Sequence, residues 1–304
     1  MPTRPDREEV SFSNGDISLA GTILLPAGDG PFPGVVIVHG SGASPRSNPW
    51  TRAYAEGLSR RGVAVLHPDK RGSGRSGGDW RRASFLDLAD DSIAAVELLR
   101  KHAKLDPNNV GVIGFSQGGH VVPAAAARSK SVAYVVSVSA SVVPIIEQIE
   151  DELTLMAERE GLSAEQTATI RRIHALGVQY AQGTTAWDQY FAALQQAKSG
   201  APSGNKLVEG FPAEPDSPTW DFARSVGSYD PMLYWRQLSV PVMFVYGGKD
   251  ANVRVSKSVG RIQEVFAPLD LNYVLMVFSE NGHGLYREDE LDFLATWIKD
   301  KGKA

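Results

Sequence analysis

The chain of 304 residues contains no cysteine. This absence excludes disulfide bonds, a thiol nucleophile and thiolate metal ligands at once. Any catalytic group therefore has to come from serine, histidine, a carboxylate or a bound cofactor. The HExxH, EF-hand and P-loop patterns are absent as well. We therefore expect neither a metal ion nor a nucleotide cofactor.

Long apolar runs and a strong excess of one charge are also missing. No stretch approaches the ~18 apolar residues of a membrane helix, and the first twelve residues lack the apolar centre of a secretion signal. The 31 Lys and Arg against 35 Asp and Glu give a formal net charge of −4, which argues against nucleic acid or a membrane as the main partner. We expect a cytoplasmic protein acting on a small molecule, although a chain trimmed of an export signal would read the same. The oligomeric state is left open.

Short apolar runs recur along the chain and are typical of strands buried on both faces of a parallel sheet. An antiparallel hairpin turning at Asn14 and Gly15 precedes them. Helical patterns between the runs indicate crossover connections. The sequence therefore predicts an α/β fold with a doubly wound, mostly parallel sheet. The predicted strands are Val35 to Val38, Val63 to Leu66, Val110 to Ile113, Val132 to Val138, Val242 to Tyr246 and Tyr273 to Val277.

The alternation of strands and helices stops between Ser141 and Ser228. Ser163 and Gln166 fit a capping box that opens one helix of this segment, and residues 199–218, rich in Gly, Pro and Ser, predict a long loop. An amphipathic helix is predicted from the apolar residues Ile146, Ile149, Leu153 and Met156, and a further helix from Trp187, Tyr190, Phe191 and Leu194. We therefore expect a core of residues 1–140 and 229–304 and a helical cap of residues 141–228.

Ser116 lies in a G-x-S-x-G motif from Gly114 to Gly118, directly after a predicted strand and before an Ala-rich helix. This is the setting in which the motif presents a nucleophile on a sharp turn. Glycines two residues away on both sides remove Cβ atoms that would collide in such a turn. The motif predicts Ser116 as a nucleophile, against the alternative of an ordinary strand-to-helix turn.

A serine nucleophile needs a base, and the sequence contains six histidines. His283 is preferred because it follows the last strand in a loop that can reach over the carboxyl edge of the sheet. His120 lies one helical turn beyond Ser116, where its side chain would run along the helix. Asp250, directly after the strand ending at Tyr246, is the predicted partner carboxylate. The remaining histidines follow strands, end a helix or lie in the insertion: His39, His67, His102 and His174.

The tetrahedral intermediate of acyl transfer needs two N–H donors for its oxyanion. One is predicted to be the backbone of Gln117, which follows the nucleophile. The other is predicted at Ser41, in the loop His39-Gly40-Ser41-Gly42 after the strand that begins at Val35.

With these motifs in the order Ser, Asp, His, the chain resembles the α/β-hydrolase superfamily, and in particular bacterial serine esterases with a helical cap. Further support comes from the segment Asp69 to Gly77. The resemblance covers about residues 31–140 and 230–304 and not the insertion. It implies a cofactor-independent serine hydrolase that acts on carboxylic esters through an acyl-enzyme. Because the nucleophile is Ser, it does not extend to haloalkane dehalogenases or epoxide hydrolases.

The glycines 72, 74 and 77 also satisfy the dinucleotide pattern G-x-G-x-x-G. That pattern should begin at a strand end and open a helix, whereas here the segment Pro68-Asp69-Lys70-Arg71 intervenes before the first glycine. A loop is the better interpretation.

Three alternatives to an esterase remain open. A thioesterase would use the same residues. An aminopeptidase or amidase would in addition need carboxylates in the cap to bind a substrate ammonium, for which the candidates are Glu147, Glu150, Asp151 and Glu152. A ligand-binding protein without catalysis is disfavoured because it needs no complete set of catalytic groups. Four aromatic residues are candidates for an acyl pocket, or else for packing between cap and core: Trp187, Tyr190, Trp220 and Phe222.

Overall fold

The computed structural model describes residues 5–200, 206–269 and 271–300. One eight-stranded sheet forms its centre: β1 (Asp6–Asn14), β2 (Ile17–Leu25), β3 (Phe32–Val38), β4 (Ala64–Pro68), β5 (Leu105–Phe115), β6 (Val135–Val138), β7 (Val242–Gly247) and β8 (Tyr273–Phe278). In space the order is β1-β2-β4-β3-β5-β6-β7-β8. The pairs β1 with β2 and β2 with β4 are antiparallel, and the other neighbours run parallel. The predicted mostly parallel sheet is confirmed.

Helices cover both faces of this sheet, as a doubly wound fold requires. On one face pack α2 (Phe85–Arg100), α3 (Gly118–Arg128), α9 (Met232–Trp235) and α10 (Val255–Phe266). On the other face pack α1 (Pro49–Arg60) and α11 (Glu288–Lys299). The strands β6 and β7 are buried along their full lengths, which explains their continuous apolar sequences.

Two details differ from the sequence prediction. The strand predicted from Val132 begins only at Val135, because the Val132 amide donates to the Ser129 carbonyl and closes a turn. The sequence patterns do not predict helix α10. Its valines favour a strand by propensity, yet its buried residues Ser258, Ile262, Val265 and Phe266 follow the spacing of one helix face.

Between β6 and α9 the described residues form helices and no strand: α4 (Ile145–Arg159), α5 (Ala164–Ala181), α6 (Trp187–Gly200), α7 (Lys206–Glu209) and α8 (Pro218–Val226). We call these the cap helices. The predicted capping box is present, since the Ser163 hydroxyl accepts from the Gln166 amide and the Gln166 side chain accepts from the Ser163 amide.

The loop predicted for residues 199–218 is wrong in part. Helix α6 continues to Gly200, and α7 occupies Lys206–Glu209. Leu207 and Val208 are buried in the apolar cluster of the cap helices, and this packing outweighs the Gly- and Pro-rich composition around them. Residues 201–205 of this prediction lie outside the described residues. Across the described ranges, no helix is both long and apolar enough to cross a membrane.

Candidate active site

Ser116 occupies the tight turn between β5 and α3. Its φ angle is +50°, in the left-handed region that non-glycine residues rarely adopt and that costs about 1–3 kcal/mol. Its amide donates to the Val138 carbonyl, and its carbonyl accepts from the Gly119 amide. These bonds hold the strained turn against β6 and α3.

The two glycines that flank Ser116 are required by close backbone contacts. A Cβ atom on Gly114 would lie 2.5 Å from the Gly118 carbonyl oxygen, and one on Gly118 would lie 2.3 Å from the Val38 carbonyl oxygen. Any side chain at either position would force the turn apart. The steric reason for these glycines in the motif is thus present in the fold.

His283 lies in the loop between β8 and α11 and faces Ser116. Its Nε2 is 3.0 Å from Ser116 Oγ, and its side chain is 22% exposed. The indole of Trp50 borders the imidazole, with ring centroids 5.6 Å apart. Trp50 Nε1 also donates to the Leu285 carbonyl at 2.7 Å. One aromatic side chain therefore supports both the ring and the loop that carries it.

Asp250 completes the line of contacts behind His283. Its Oδ2 lies 2.9 Å from His283 Nδ1, and its side chain is fully buried. Its Oδ1 accepts from the backbone amides of Asn252 and Val253 at 2.8 and 2.9 Å. These two amides orient the carboxylate so that it accepts the Nδ1–H of the imidazole and leaves Nε2 free to accept a proton.

The two predicted oxyanion residues, Ser41 and Gln117, line a common cavity of about 320 Å³. Within the described part of the chain, neither of their backbone amides donates to another protein group. The loop that carries Ser41 passes close to the nucleophile at Gly40, since a Cβ atom on Gly40 would lie 3.4 Å from Ser116 Cβ. Two residues with unused amide donors therefore line one cavity beside the turn that carries Ser116.

Two other histidines near the sheet contact backbone carbonyl groups. His120 is buried, and its Nε2 lies 3.1 Å from the Val143 carbonyl oxygen. His39 Nε2 lies 2.7 Å from the Pro68 carbonyl oxygen. Burial lowers the pKa of each to about 4, so both are neutral near pH 7 and neither contacts Ser116.

Lys70, which the sequence did not single out, lies beside Ser41 and Gln117. Its ammonium donates to the Gly40 carbonyl at 2.8 Å and to Gln117 Oε1 at 2.9 Å. It therefore contacts both segments that carry the two amide donors. The only signal in the sequence is its place between a buried strand and the glycine-rich loop.

The loop that carries glycines 72, 74 and 77 opens no helix, as predicted.

The four aromatic pocket candidates divide into two pairs. Trp220 and Phe222 line a second cavity, of about 340 Å³, between α4, α5 and α8. Phe222 and Thr219 also line the cavity at Ser41 and Gln117. Trp187 and Tyr190 line neither cavity and pack, together with Trp220, in the aromatic cluster of the cap helices. The Tyr190 hydroxyl donates there to the Pro212 carbonyl. The predicted apolar stripe of α4 lines the second cavity: Ile146, Ile149, Leu153 and Met156.

A sequence model of the alpha/beta hydrolase family matches residues 35–297. The chain belongs to this family. The match includes Ser41, Ser116, Gln117, Asp250 and His283, and it spans the cap helices as well as the sheet. The prediction of a hydrolase is confirmed at the level of the family.

Individual relatives agree with this assignment. Esterase EstD of Thermotoga maritima is 28% identical over 261 residues, which are 83% of this chain and 55% of EstD; this chain thus spans about half of that relative. Thiohydrolase aneE of Aspergillus aculeatus is 27% identical over 91% of this chain and 86% of its own length. The solved esterase Pf2001 of Pyrococcus furiosus shares the fold, with a TM-score of 0.62 and 19% identity over 98% of this chain and 90% of that one.

Proposed function

We propose that the protein is a serine hydrolase that cleaves carboxylic esters through an acyl-enzyme. The observation that carries the proposal is the continuous line of contacts from Ser116 Oγ through His283 to the buried Asp250. A strained serine, a base within hydrogen-bond distance and an orienting carboxylate are the parts that acyl transfer needs. The esterase names of EstD and Pf2001 support the same chemistry.

In the first half of the reaction, Ser116 Oγ attacks the ester carbonyl carbon while His283 Nε2 takes the hydroxyl proton. The negative charge that develops on the carbonyl oxygen is stabilised by the amides of Ser41 and Gln117. Collapse of this intermediate breaks the bond to the alcohol oxygen, which receives the proton from His283. In the second half, a water molecule attacks the acyl-enzyme through the same steps, and the carboxylic acid leaves.

We further propose that the acyl group is of short to medium length. The cavity at Ser41 and Gln117 has a volume of about 320 Å³, near the lower end of small-molecule sites. Thr219 and Phe222 line both this cavity and the one between the cap helices, so they form a wall between them. A long acyl chain would have to displace Phe222.

Two alternatives differ in their support. A thioester substrate is favoured by the relative named thiohydrolase, which aligns over most of both chains. An aminopeptidase is disfavoured because each of the four carboxylates proposed to bind an ammonium already has a partner. Glu147 and Asp151 pair with Lys257, Glu150 pairs with Arg171, and Glu152 accepts from Asn252.

A panel of substrates tests the proposal. Aryl esters from acetyl to palmitoyl, matching acyl thioesters and aminoacyl anilides are compared by kcat/KM, with the Ser116→Ala variant as the blank. We expect the highest values for esters of short and medium acyl length and no turnover above the blank for the anilides. Preferred turnover of the anilides, or equal ester turnover in the variant, would contradict the proposal.

A further inference from the structure

We propose that Lys70 is a positioning residue that orients both oxyanion donors, one through the Gly40 carbonyl and the other through the Gln117 side chain. The inference rests on the proposed function, because it assigns a role in the same reaction. It concerns a buried cation that the acyl-transfer steps above do not use.

The first argument is the geometry of the peptide between Gly40 and Ser41. In a trans peptide the C=O and N–H groups point in opposite directions. Because the Gly40 carbonyl points at Lys70 Nζ, 2.8 Å away, the N–H of Ser41 points away from Lys70. Ser41 lines the cavity that it shares with Gln117. The ammonium thus fixes the rotation of this peptide and polarises it, which makes Ser41 N–H a stronger donor.

The second argument is that the same ammonium holds the residue after the nucleophile. Lys70 Nζ donates to Gln117 Oε1 at 2.9 Å, and the Gln117 side chain makes no other hydrogen bond to a described group. Loss of Lys70 would release the Gln117 side chain next to Ser116.

The third argument is energetic. Lys70 is 8% exposed, and no carboxylate lies within ion-pair distance of it among the described residues. Asp69 pairs with Arg46 and Arg71 pairs with Asp91, and His39 is neutral. The Lys70 ammonium lies 5.6 Å from the centroid of the Trp80 ring, which Arg81 also contacts. A buried cation without a counter-ion is costly. Such a cost is expected where a positive charge lies close to a site in which negative charge develops.

The glycine-rich segment after β4 builds this arrangement. The Lys70 amide donates to the Ser44 carbonyl, and the Ser44 amide donates to Ser73 Oγ. A Cβ atom on Gly74 would lie 2.4 Å from the carboxyl carbon of Asp69. The segment therefore supports the loop that carries Ser41.

The test uses Lys70→Met, which keeps a long side chain without the charge, and Arg75→Gln as the matched control. Arg75 lies in the same loop, its side chain is 75% exposed, and it contacts neither Gly40 nor Gln117. Melting temperature and covalent labelling of Ser116 by a phosphonate report the folded, reactive fraction. Per labelled site, we expect kcat of Lys70→Met to fall about 10- to 100-fold, since loss of a whole oxyanion donor costs about 10²- to 10³-fold, with KM within about threefold. Arg75→Gln should match the wild type.

The pH profile separates this role from a purely structural one. Burial lowers the pKa of Lys70 to about 7, so wild-type kcat/KM should decline on the alkaline side as Lys70 loses its charge. Lys70→Arg stays charged throughout, so this decline should disappear while activity is retained. It also serves as the test if Lys70→Met fails to fold.

Unchanged kcat in Lys70→Met, or an alkaline decline that persists in Lys70→Arg, would overturn the inference. Either result would leave the proposed function intact, provided that the wild type hydrolyses esters and Ser116→Ala does not. Absence of ester turnover in the wild type would instead contradict the proposed function itself.

Discussion

Gly247 and Gly282 lie backbone against backbone, so that a Cβ atom on Gly247 would stand 2.4 Å from the Gly282 carbonyl oxygen. Gly247 ends β7, three residues before Asp250, and Gly282 directly precedes His283. The Lys249 amide also donates to the Asn281 carbonyl at 2.8 Å. The contact between Asp250 and His283 therefore depends on two loops that approach more closely than side chains allow.

Gly247→Ala should consequently lower both stability and activity. Overpacking of this kind typically costs about 1–3 kcal/mol, and the displaced loops would lengthen the contact between Asp250 and His283. We expect a lower free energy of unfolding in urea and a drop in kcat of at least about tenfold.

The matched control is Gly260→Ala in α10, where an added Cβ atom meets nothing within 4 Å. The free energy of unfolding of this variant should rise by about 0.5–1 kcal/mol, because Ala has a higher helix propensity than Gly, and its turnover should match the wild type. Full activity in Gly247→Ala would show that the close approach of the two loops is not needed.

Asp250→Asn should reduce turnover by about 10³- to 10⁴-fold across the pH range. The amides of Asn252 and Val253 would hold the carbonyl oxygen of the new side chain, so its NH2 group would face His283 Nδ1. The imidazole would then carry its proton on Nε2, where it cannot accept the proton of Ser116. Initial rates from pH 5 to 9 measure the effect, and wild-type-like rates would remove Asp250 from this role.

Glu290 provides a prediction about stability and pH. It is buried in α11 with Oε1 2.5 Å from the Tyr54 hydroxyl, and burial raises its pKa to about 7. Because the folded state holds this proton more tightly than the unfolded state, the stabilisation is complete at low pH and is lost as the pH rises through about 7. Glu290→Gln mimics the protonated form and escapes this loss.

The measurement is urea unfolding of Glu290→Gln and the wild type at pH 5 and pH 8. From pH 5 to pH 8, the free energy of unfolding of the variant should rise by about 1–3 kcal/mol relative to that of the wild type. The control is Glu264→Gln, which changes an exposed carboxylate on α10. Its free energy of unfolding relative to the wild type should rise by less than about 0.5 kcal/mol over the same pH range. Equal pH dependence in Glu290→Gln and the wild type would contradict the assignment.

Phe222→Ala should shift the acyl-length preference toward longer chains, because it removes the larger part of the wall between the two cavities. Tyr190→Phe is the comparison, since Tyr190 is fully buried and donates to the Pro212 carbonyl. It should lose about 1 kcal/mol of stability and keep the wild-type profile. The ratio of kcat/KM for decanoyl and butyryl esters decides between them. A shift in Tyr190→Phe without one in Phe222→Ala would place the acyl pocket elsewhere.

The sequence predicted the parts of the fold that local patterns determine. Buried parallel strands appear as continuous apolar runs, and the turn at Ser116 requires glycines on both sides. The chain order of Ser116, Asp250 and His283 also follows from where each strand ends. For these elements the local sequence and the final packing agree.

Other features depend on contacts between distant segments and leave little local signal. Lys70 appears in the sequence as an ordinary charged loop residue, and its contacts with Gly40 and Gln117 exist only once three loops have packed. The separation of Phe222 from Tyr190 depends likewise on how the cap helices cross. Tyr190 belongs to a helix that the sequence predicts, whereas Phe222 lies in α8, which it does not predict. Only the packing decides which of the two rings faces a cavity.

The most direct test of the account is detection of the acyl-enzyme on Ser116. The protein is mixed with a slowly hydrolysed aryl ester, quenched in acid within milliseconds and analysed by intact and peptide mass spectrometry. We predict a burst of about one equivalent of released phenol and an added acyl mass on the peptide that contains Ser116, both absent in Ser116→Ala. Ester turnover without an adduct under these conditions, or an adduct on another residue, would contradict the account.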